Sequence, residues 1–214
     1  MKKIYLSAIL FLSFISILHA QIDKKYLAGA VPEENGKVVF SQTFELPELS
    51  QKEIFQRVST WANANYHDEN NRIVYSDTTS NIVSCRGNEE LIFKSSALVL
   101  DKATMFYQLN IFCENGSCKA EIKSISYSYN STNQNAPDRY KAEEWITDKE
   151  AVRKNKLYRN NGKFRIKTID LTDDIFYSLK TTLQSGKRSY FREEEIVMDA
   201  KKKESDASTQ ATSK

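Results

Sequence analysis

Histidine, cysteine, glycine and proline are scarce in this 214-residue sequence, which has two, three, six and three of them respectively. A catalytic site that pairs serine or cysteine with histidine would have to use His67, and no nucleophile lies near it in the sequence. Zinc needs three or four Cys, His or acidic ligands at workable spacing, and no such set exists. The glycines Gly87, Gly116 and Gly162 are isolated, which excludes a glycine-rich phosphate loop. We therefore expect no catalytic residue, no metal ligand and no cofactor.

Acidic residues occur in three adjacent pairs, and adjacent carboxylates are poorly placed for catalysis. A general acid and a general base must converge across a cleft, whereas neighbours on one strand or helix diverge. The pairs are Glu89-Glu90, Glu143-Glu144 and Asp173-Asp174. The alternative to a non-catalytic protein is a hydrolase whose carboxylates are brought together only by the fold.

The first 20 residues have the pattern of a secretory signal peptide. A short basic start is followed by an apolar run over Ile4 to Leu18 and by a small residue, Ala20, before the polar Gln21. The run is shorter than the roughly 20 residues that a membrane-spanning helix needs, so we expect no membrane span once the signal is removed. An exported protein, periplasmic or extracellular, is predicted.

The charge balance is close to neutral. Removing residues 1–20 takes away Lys2 and Lys3, so the net charge falls by two, from +3 to +1. A balance so near zero, together with export, argues against nucleic acid as a partner and against a broad surface for polyanions.

One stretch, from Ala103 to Asn130, predicts a long β-hairpin that turns at Asn115-Gly116. Asn-Gly between two alternating apolar runs is a strong hairpin signal, because both central residues of a type I′ turn need a positive φ. The register then places Cys113 opposite Cys118. In an oxidising compartment these two cysteines are expected to form a disulfide, with Cys85 left as a buried, unpaired thiol.

The segments before the hairpin predict the order β-α-β-β-β-β. A strand over Lys37 to Leu46 precedes the capping box of Ser50 and Glu53, which starts a helix with Trp61 on its apolar stripe. Strands follow over residues 72–79 and 81–95, and Gly87 suggests a bulge or a strand break in the second.

After the hairpin, the sequence predicts a short helix from Pro137 to Glu150, an irregular basic segment over residues 155–167, and a last helix that starts at Thr172 and ends at Gly186. The domain assignment is a signal peptide over residues 1–20, a flexible lead-in over 21–36, a single α+β domain over 37–185 and a disordered charged tail over 186–214. An antiparallel sheet with helices packed on one face satisfies this order.

Four stretches together resemble an exported bacterial family that is described only as a domain of unknown function with a TATA-binding-protein-like fold. They are residues 47–61 (PELSQKEIFQRVSTW), 73–91 (IVYSDTTSNIVSCRGNEEL), the hairpin, and 162–183 (GKFRIKTIDLTDDIFYSLKTTL). The resemblance implies a curved antiparallel sheet with helices on one face. It brings no functional residues with it.

The function that we expect is a non-catalytic binding or interaction module of the cell envelope, whose partner is an unknown protein, peptide or glycan. If the hairpin register continues unchanged, aromatic and apolar side chains collect on the outer face at its far end. Either the next segment of the chain covers them, or a partner does. This candidate binding patch comprises Phe106, Ile125, Tyr127, Tyr129, Tyr140 and Trp145.

Overall fold

A computed structural model describes residues 23–96, 100–130, 136–192 and 197, and these residues form one large antiparallel sheet, two short two-stranded sheets and several helices. In chain order, the strands are β1 (Glu33–Glu34), β2 (Lys37–Val38), β3 (Phe40–Glu45), β4 (Arg72–Asp77), β5 (Ile82–Ser95), β6 (Leu100–Glu114), β7 (Ser117–Tyr129), β8 (Asp138–Lys141), β9 (Val152–Arg153) and β10 (Lys156–Leu157). The helices are α1 (Gln51–Asn65), α2 (Ala142–Trp145), α3 (Asp148–Ala151) and α4 (Arg159–Ser185), and a 3-10 turn spans Lys24–Tyr26.

The main sheet has the strand order β3-β7-β6-β5-β4, with β8 beside the far half of β7. The predicted order β-α-β-β-β-β is confirmed by β3, α1, β4, β5, β6 and β7. Helices α1 and α4 bury their apolar stripes on one face of this sheet, where the core residues of β3, β5, β6 and β7 meet them. The other face carries no helix within the described part of the chain, and it is the face that holds the site described below.

The position of the β6–β7 turn and the register beside it are confirmed, since Cys113 lies opposite Cys118. The predicted type I′ turn is wrong, because Gly116 has a positive φ of 76° whereas Asn115 does not have a positive φ. Helix α1 begins at the predicted capping box, in which the Ser50 hydroxyl accepts from the Glu53 backbone N–H and the Glu53 carboxylate accepts from the Ser50 N–H. Trp61 is buried, and its Nε1 donates to Ser178 Oγ of α4 over 2.8 Å.

The register of the hairpin changes at Ser124, and the prediction for its far end is wrong. Gln108 pairs with Lys123, but Phe106 pairs with Ser126, so β7 holds one extra residue there. Ser124 has a φ of 56°, in the left-handed region that the first residue of a G1 β-bulge adopts. A one-residue insertion moves every later side chain to the opposite face. Ile125 and Tyr127 are therefore 2% and 0% exposed in the core instead of on the outer face.

The segment after the hairpin is a strand where a helix was predicted. Strand β3 pairs only with residues 117–122 of β7, and β8 takes over the same edge at residues 126–129. Satisfying the backbone groups of that edge outweighs the helical pattern after Pro137. The predicted helix through Glu150 is therefore replaced by β8 and the two short helices α2 and α3.

Helix α4 begins at Arg159, thirteen residues before the predicted start at Thr172. Its first half looked irregular because it is basic and contains a glycine. Gly162 is buried in that half, and a Cβ atom there would lie 2.7 Å from Leu157 Cβ, so the glycine permits close packing. The end is as predicted, since Gly186 has a positive φ of 69° and caps the helix.

Segments on both sides of the predicted domain pack against it. In the predicted lead-in, Val31 is buried in the core, and the backbone of Tyr26 and Leu27 binds the Arg165 side chain. Beyond residue 185, Phe191 packs on Trp61 with ring centroids 6.3 Å apart. The boundaries at residues 37 and 185 are therefore too narrow. The predicted signal peptide and the predicted tail beyond residue 192, apart from Val197, lie outside the described residues. Among the described helices, none is long and apolar enough to cross a membrane.

Candidate functional site

The aromatic residues predicted as a binding patch mostly pack against one another on the core side of the sheet. Trp145 lies between Tyr140 and Phe164, with ring centroids 4.2 Å and 4.5 Å away, and Tyr129 contacts the same group. The Tyr127 hydroxyl lies 2.7 Å from Thr168 Oγ1 of α4, and burial raises the pKa of Tyr127. The chain itself thus covers this cluster, but it does so on the core side of the sheet and not on the outer face where the patch was predicted. Of the six residues, Phe106 alone stays on the outer face.

A row of polar side chains crosses the outer face at the level of the bulge. Cross-strand partners point to the same face of a sheet. The register pairs Arg72 of β4 with Arg86 of β5, Arg86 with Gln108 of β6, and Gln108 with Lys123 of β7. Two arginines therefore stand directly opposite each other on neighbouring strands.

This row forms part of an open groove of about 570 Å³, which we call the outer-face groove. Its size is within the range of small-molecule sites. It is lined by Glu69, Asn70, Arg72, Val74, Arg86, Asn88, Phe106, Tyr107, Gln108, Ser124 and Arg139.

The three arginines of the groove make no ion pair with any acid in the described residues. Arg139 instead lies over the ring of Phe106, with its guanidinium carbon 4.9 Å from the ring centroid. That cation–π contact holds the guanidinium above the sheet. Like charges placed directly opposite each other destabilise a sheet, so Arg72 and Arg86 carry a cost. Glu69 lines the same groove but forms no ion pair with either arginine in the described residues.

Amide side chains line the groove with the arginines, one held by the loop before β4 and one by its own strand β6. Asn88 Nδ2 donates to Asn70 Oδ1 over 3.3 Å, and Gln108 Nε2 donates to Asn110 Oδ1 over 3.1 Å. Asp68 fixes the loop by accepting from the backbone N–H groups of Asn70 and Asn71. Burial acts to raise the pKa of Asp68, but these backbone hydrogen bonds outweigh it, and the pKa is lowered. Hydrogen bonds therefore fix the orientation of the amide side chains that line the groove.

A second groove of about 560 Å³ adjoins the first at Ser124. It lies between β2, β7 and β8, where the bulge leaves a gap between the two strands that pair with β7. Three lysines, Lys37, Lys123 and Lys141, line it together with the acids Glu34 and Glu143. Lysines thus continue along the outer face past the bulge, although acids accompany them, and Glu121 Oε2 lies 3.7 Å from Lys123 Nζ.

The described residues do not bring together a set of side chains that is typical of a catalytic site. Members of all three acid pairs bind other groups, since Glu89 binds Arg192, Glu90 binds Lys102, Glu143 accepts from the Val38 N–H, and Asp173 lies 3.7 Å from Lys25 Nζ. Glu69 is the one carboxylate that lines the outer-face groove within the described chain. In the same residues there is no group of three Cys, His or acidic side chains that could hold a metal. No observation here supports the hydrolase alternative.

The three cysteines are buried as thiols. Cys113 and Cys118 face each other across the hairpin, and a hydrogen bond between them together with burial raises the pKa of Cys118. Burial raises the pKa of the Cys85 thiol to about 12, which makes it an inert core residue at neutral pH. The predicted disulfide is not formed in this structure and stays a prediction.

Comparison with known proteins places the chain in a family. Residues 40–128 match the family described as "Domain of unknown function (DUF4468) with TBP-like fold". A crystal structure of a DUF4468 family protein from Bacteroides ovatus shares 40% sequence identity with the chain. The match covers 75% of this chain and 94% of that protein, with a TM-score of 0.69. The chain belongs to the DUF4468 family. The resemblance inferred from sequence is thereby confirmed.

A second solved structure is similar in fold to this DUF4468 protein. A TBP-like protein from Parabacteroides distasonis is similar over 72% of this chain and 97% of its own, at 24% identity and a TM-score of 0.64, which shows the fold alone. No curated protein matches the chain. The α+β class and the TBP-like antiparallel sheet are confirmed, and the function has to be argued from the groove.

Proposed function

We propose that this chain is an exported, non-catalytic binding module of the cell envelope that holds an anionic partner in the outer-face groove. The observation that supports the proposal is the set of three arginines, Arg72, Arg86 and Arg139, which share one groove without an acidic partner in the described residues. Each guanidinium offers a planar fork of donors that matches a carboxylate, sulfate or phosphate group. An anion between the strands would offset the repulsion between Arg72 and Arg86.

Binding of inorganic polyphosphate tests this proposal, because polyphosphate carries charge and no other recognition feature. We expect the purified protein to raise the fluorescence anisotropy of labelled polyphosphate at low ionic strength, with an affinity that falls as salt is added. The double variant Arg72→Gln/Arg86→Gln should bind at least about tenfold more weakly, because it lacks two charge-assisted contacts.

The matched control is Arg153→Gln, which removes a charge of the same kind from the exposed β9–β10 hairpin outside the groove. Its affinity should stay within about twofold of the wild type, since a single exposed charge far from a site contributes little. Equal affinities for the wild type and the double variant would overturn the proposal.

Export also predicts a disulfide between Cys113 and Cys118. The two residues occupy a non-hydrogen-bonded pair next to the turn, where Cα atoms about 4.5 Å apart lie within the bridging range. An oxidising compartment would convert the thiol pair to a disulfide, which should stabilise the fold by about 2 kcal/mol in the chain-entropy description.

Peptide mapping of the exported protein, alkylated in denaturant without reductant, checks this prediction. Cys85 should be the single alkylated cysteine, and the peptides of Cys113 and Cys118 should remain joined. Alkylation of all three cysteines, or a peptide that joins Cys85 to either of the others, would show that the prediction is wrong.

A further inference from the structure

We infer that the partner is an anionic oligosaccharide that lies across the strands, along both grooves of the outer face. This inference rests on the proposed function and names the class of ligand. It is supported by three features of the grooves, namely the length of the basic track, the amide side chains beside it, and the lack of the groups that an acidic peptide or a nucleic acid would use.

The basic track runs through four strands, with Arg72 on β4, Arg86 on β5, Lys123 on β7 and Lys141 on β8. Adjacent strands lie about 4.8 Å apart, so the five strands from β4 to β8 span roughly 19 Å. The two grooves meet at Ser124, which lines both of them. A track of this length fits a linear chain with repeated charges better than a single small anion.

The uncharged groups of the outer-face groove suit sugar hydroxyls. Asn70, Asn88 and Gln108 line it, and each amide has both a donor and an acceptor. The hydrogen bonds Asn88–Asn70 and Gln108–Asn110 orient these amides and use only part of their capacity. A hydroxyl group also donates and accepts, so a sugar ring can pair with amides while its carboxylate or sulfate binds an arginine.

The outer-face groove offers few of the groups that bind an extended peptide or a single-stranded nucleic acid. Strands β5 and β6 are paired along both edges, so they have no free backbone groups with which an extended peptide could form a ladder. Single-stranded nucleic acids bind through aromatic rings on which the bases stack. Phe106 already has the Arg139 guanidinium over its ring, and Tyr107 is only 3% exposed. These observations favour the oligosaccharide.

Calorimetric titration with charge-matched probes tests the inference. The probes are hexagalacturonate, a sulfated hexasaccharide, the neutral maltohexaose, hexaglutamate and a single-stranded hexanucleotide, all at the same ionic strength. We expect one of the two anionic sugars to bind about tenfold tighter than hexaglutamate or the hexanucleotide, and maltohexaose to give no measurable heat. Which of the two binds tighter distinguishes a carboxylated partner from a sulfated one.

The double variant Asn88→Val/Gln108→Val separates sugar recognition from charge. Valine keeps the strand propensity and removes the amides, so the ratio of the affinities for the preferred sugar and for hexaglutamate should fall to about one. Hexaglutamate or the hexanucleotide binding as tightly as both anionic sugars would overturn this inference and leave the proposed function intact. No binding by any anion, polyphosphate included, would overturn the proposed function as well.

Discussion

Gly87 lacks a side chain at a position where the ring of Tyr107 fills the space. The two residues are cross-strand partners in β5 and β6, and a Cβ atom on Gly87 would lie 2.0 Å from Tyr107 Cζ. The Tyr107 hydroxyl lies 3.0 Å from the Tyr66 hydroxyl in the core, which fixes the ring. The sequence suggested a bulge or a break at Gly87, but β5 is continuous through it. A lone glycine in a strand does not reveal whether it bends the backbone or makes room for a ring.

Replacing Gly87 by alanine should lower the free energy of unfolding by about 1–3 kcal/mol, the usual cost of overpacking a core. In a Tyr107→Leu background the same replacement should cost clearly less, because the ring that it meets is gone. Urea unfolding of the four proteins of this cycle measures the coupling. If Gly87→Ala costs the same in both backgrounds, contact with the ring is not the reason for the glycine.

Elements whose patterns are local were predicted well, and those that depend on distant partners were not. The capping box of α1 and the Asn-Gly turn need only neighbouring residues. Strand β8 forms because β3 leaves part of β7 unpaired, which no local pattern shows. The bulge at Ser124 did have a signal, since the apolar positions change from even numbers at Ile122 to odd numbers at Ile125.

The first half of α4 is fixed by a buried arginine that joins three segments. The Arg165 side chain is fully buried and donates to the carbonyl oxygens of Tyr26, Leu27 and Ile146 and to the Asp148 carboxylate. It ties the N-terminal segment and the start of α3 to the helix. Its position in a basic stretch made it look like a solvated charge, because partners from two distant segments cannot be seen in the sequence.

Arg165→Leu should therefore destabilise the protein by roughly 3–5 kcal/mol, because it removes the charged donor that the Ile146 carbonyl binds in the core and that the Tyr26 and Leu27 carbonyls and Asp148 bind beside it. Urea unfolding measures the effect, and Arg153→Leu on the exposed β9–β10 hairpin is the control, which should stay within about 0.5 kcal/mol of the wild type. A loss for Arg165→Leu as small as that of the control would contradict the role given to this side chain.

At the scale of the whole molecule, charge is distributed unevenly in a way that net charge does not show. The net charge near zero argued against a broad surface for polyanions. It did not reveal the outer-face groove, because net charge carries no information on where the arginines lie. Arg72 and Arg86 lie fourteen positions apart, and only the pairing of β4 with β5 brings them face to face. Arg139 lies in the same groove because β8 pairs with β7, and this strand was not predicted. The class of fold could be read from the sequence, whereas the candidate site requires the register of five strands.

Urea unfolding with and without polyphosphate tests most directly whether this groove is kept for binding rather than for stability. Without polyphosphate, Arg72→Gln/Arg86→Gln should be more stable than the wild type by about 0.2–1 kcal/mol, because the opposed charges are removed. Polyphosphate at 100 times its Kd for the wild type should stabilise the wild type by about 2.7 kcal/mol. The variant, which binds at least about tenfold more weakly, should gain about 1.4 kcal/mol or less at the same concentration. The assignment of the groove as an anion-binding site would be contradicted by a variant that is less stable than the wild type without polyphosphate and that gains as much stability from polyphosphate as the wild type does.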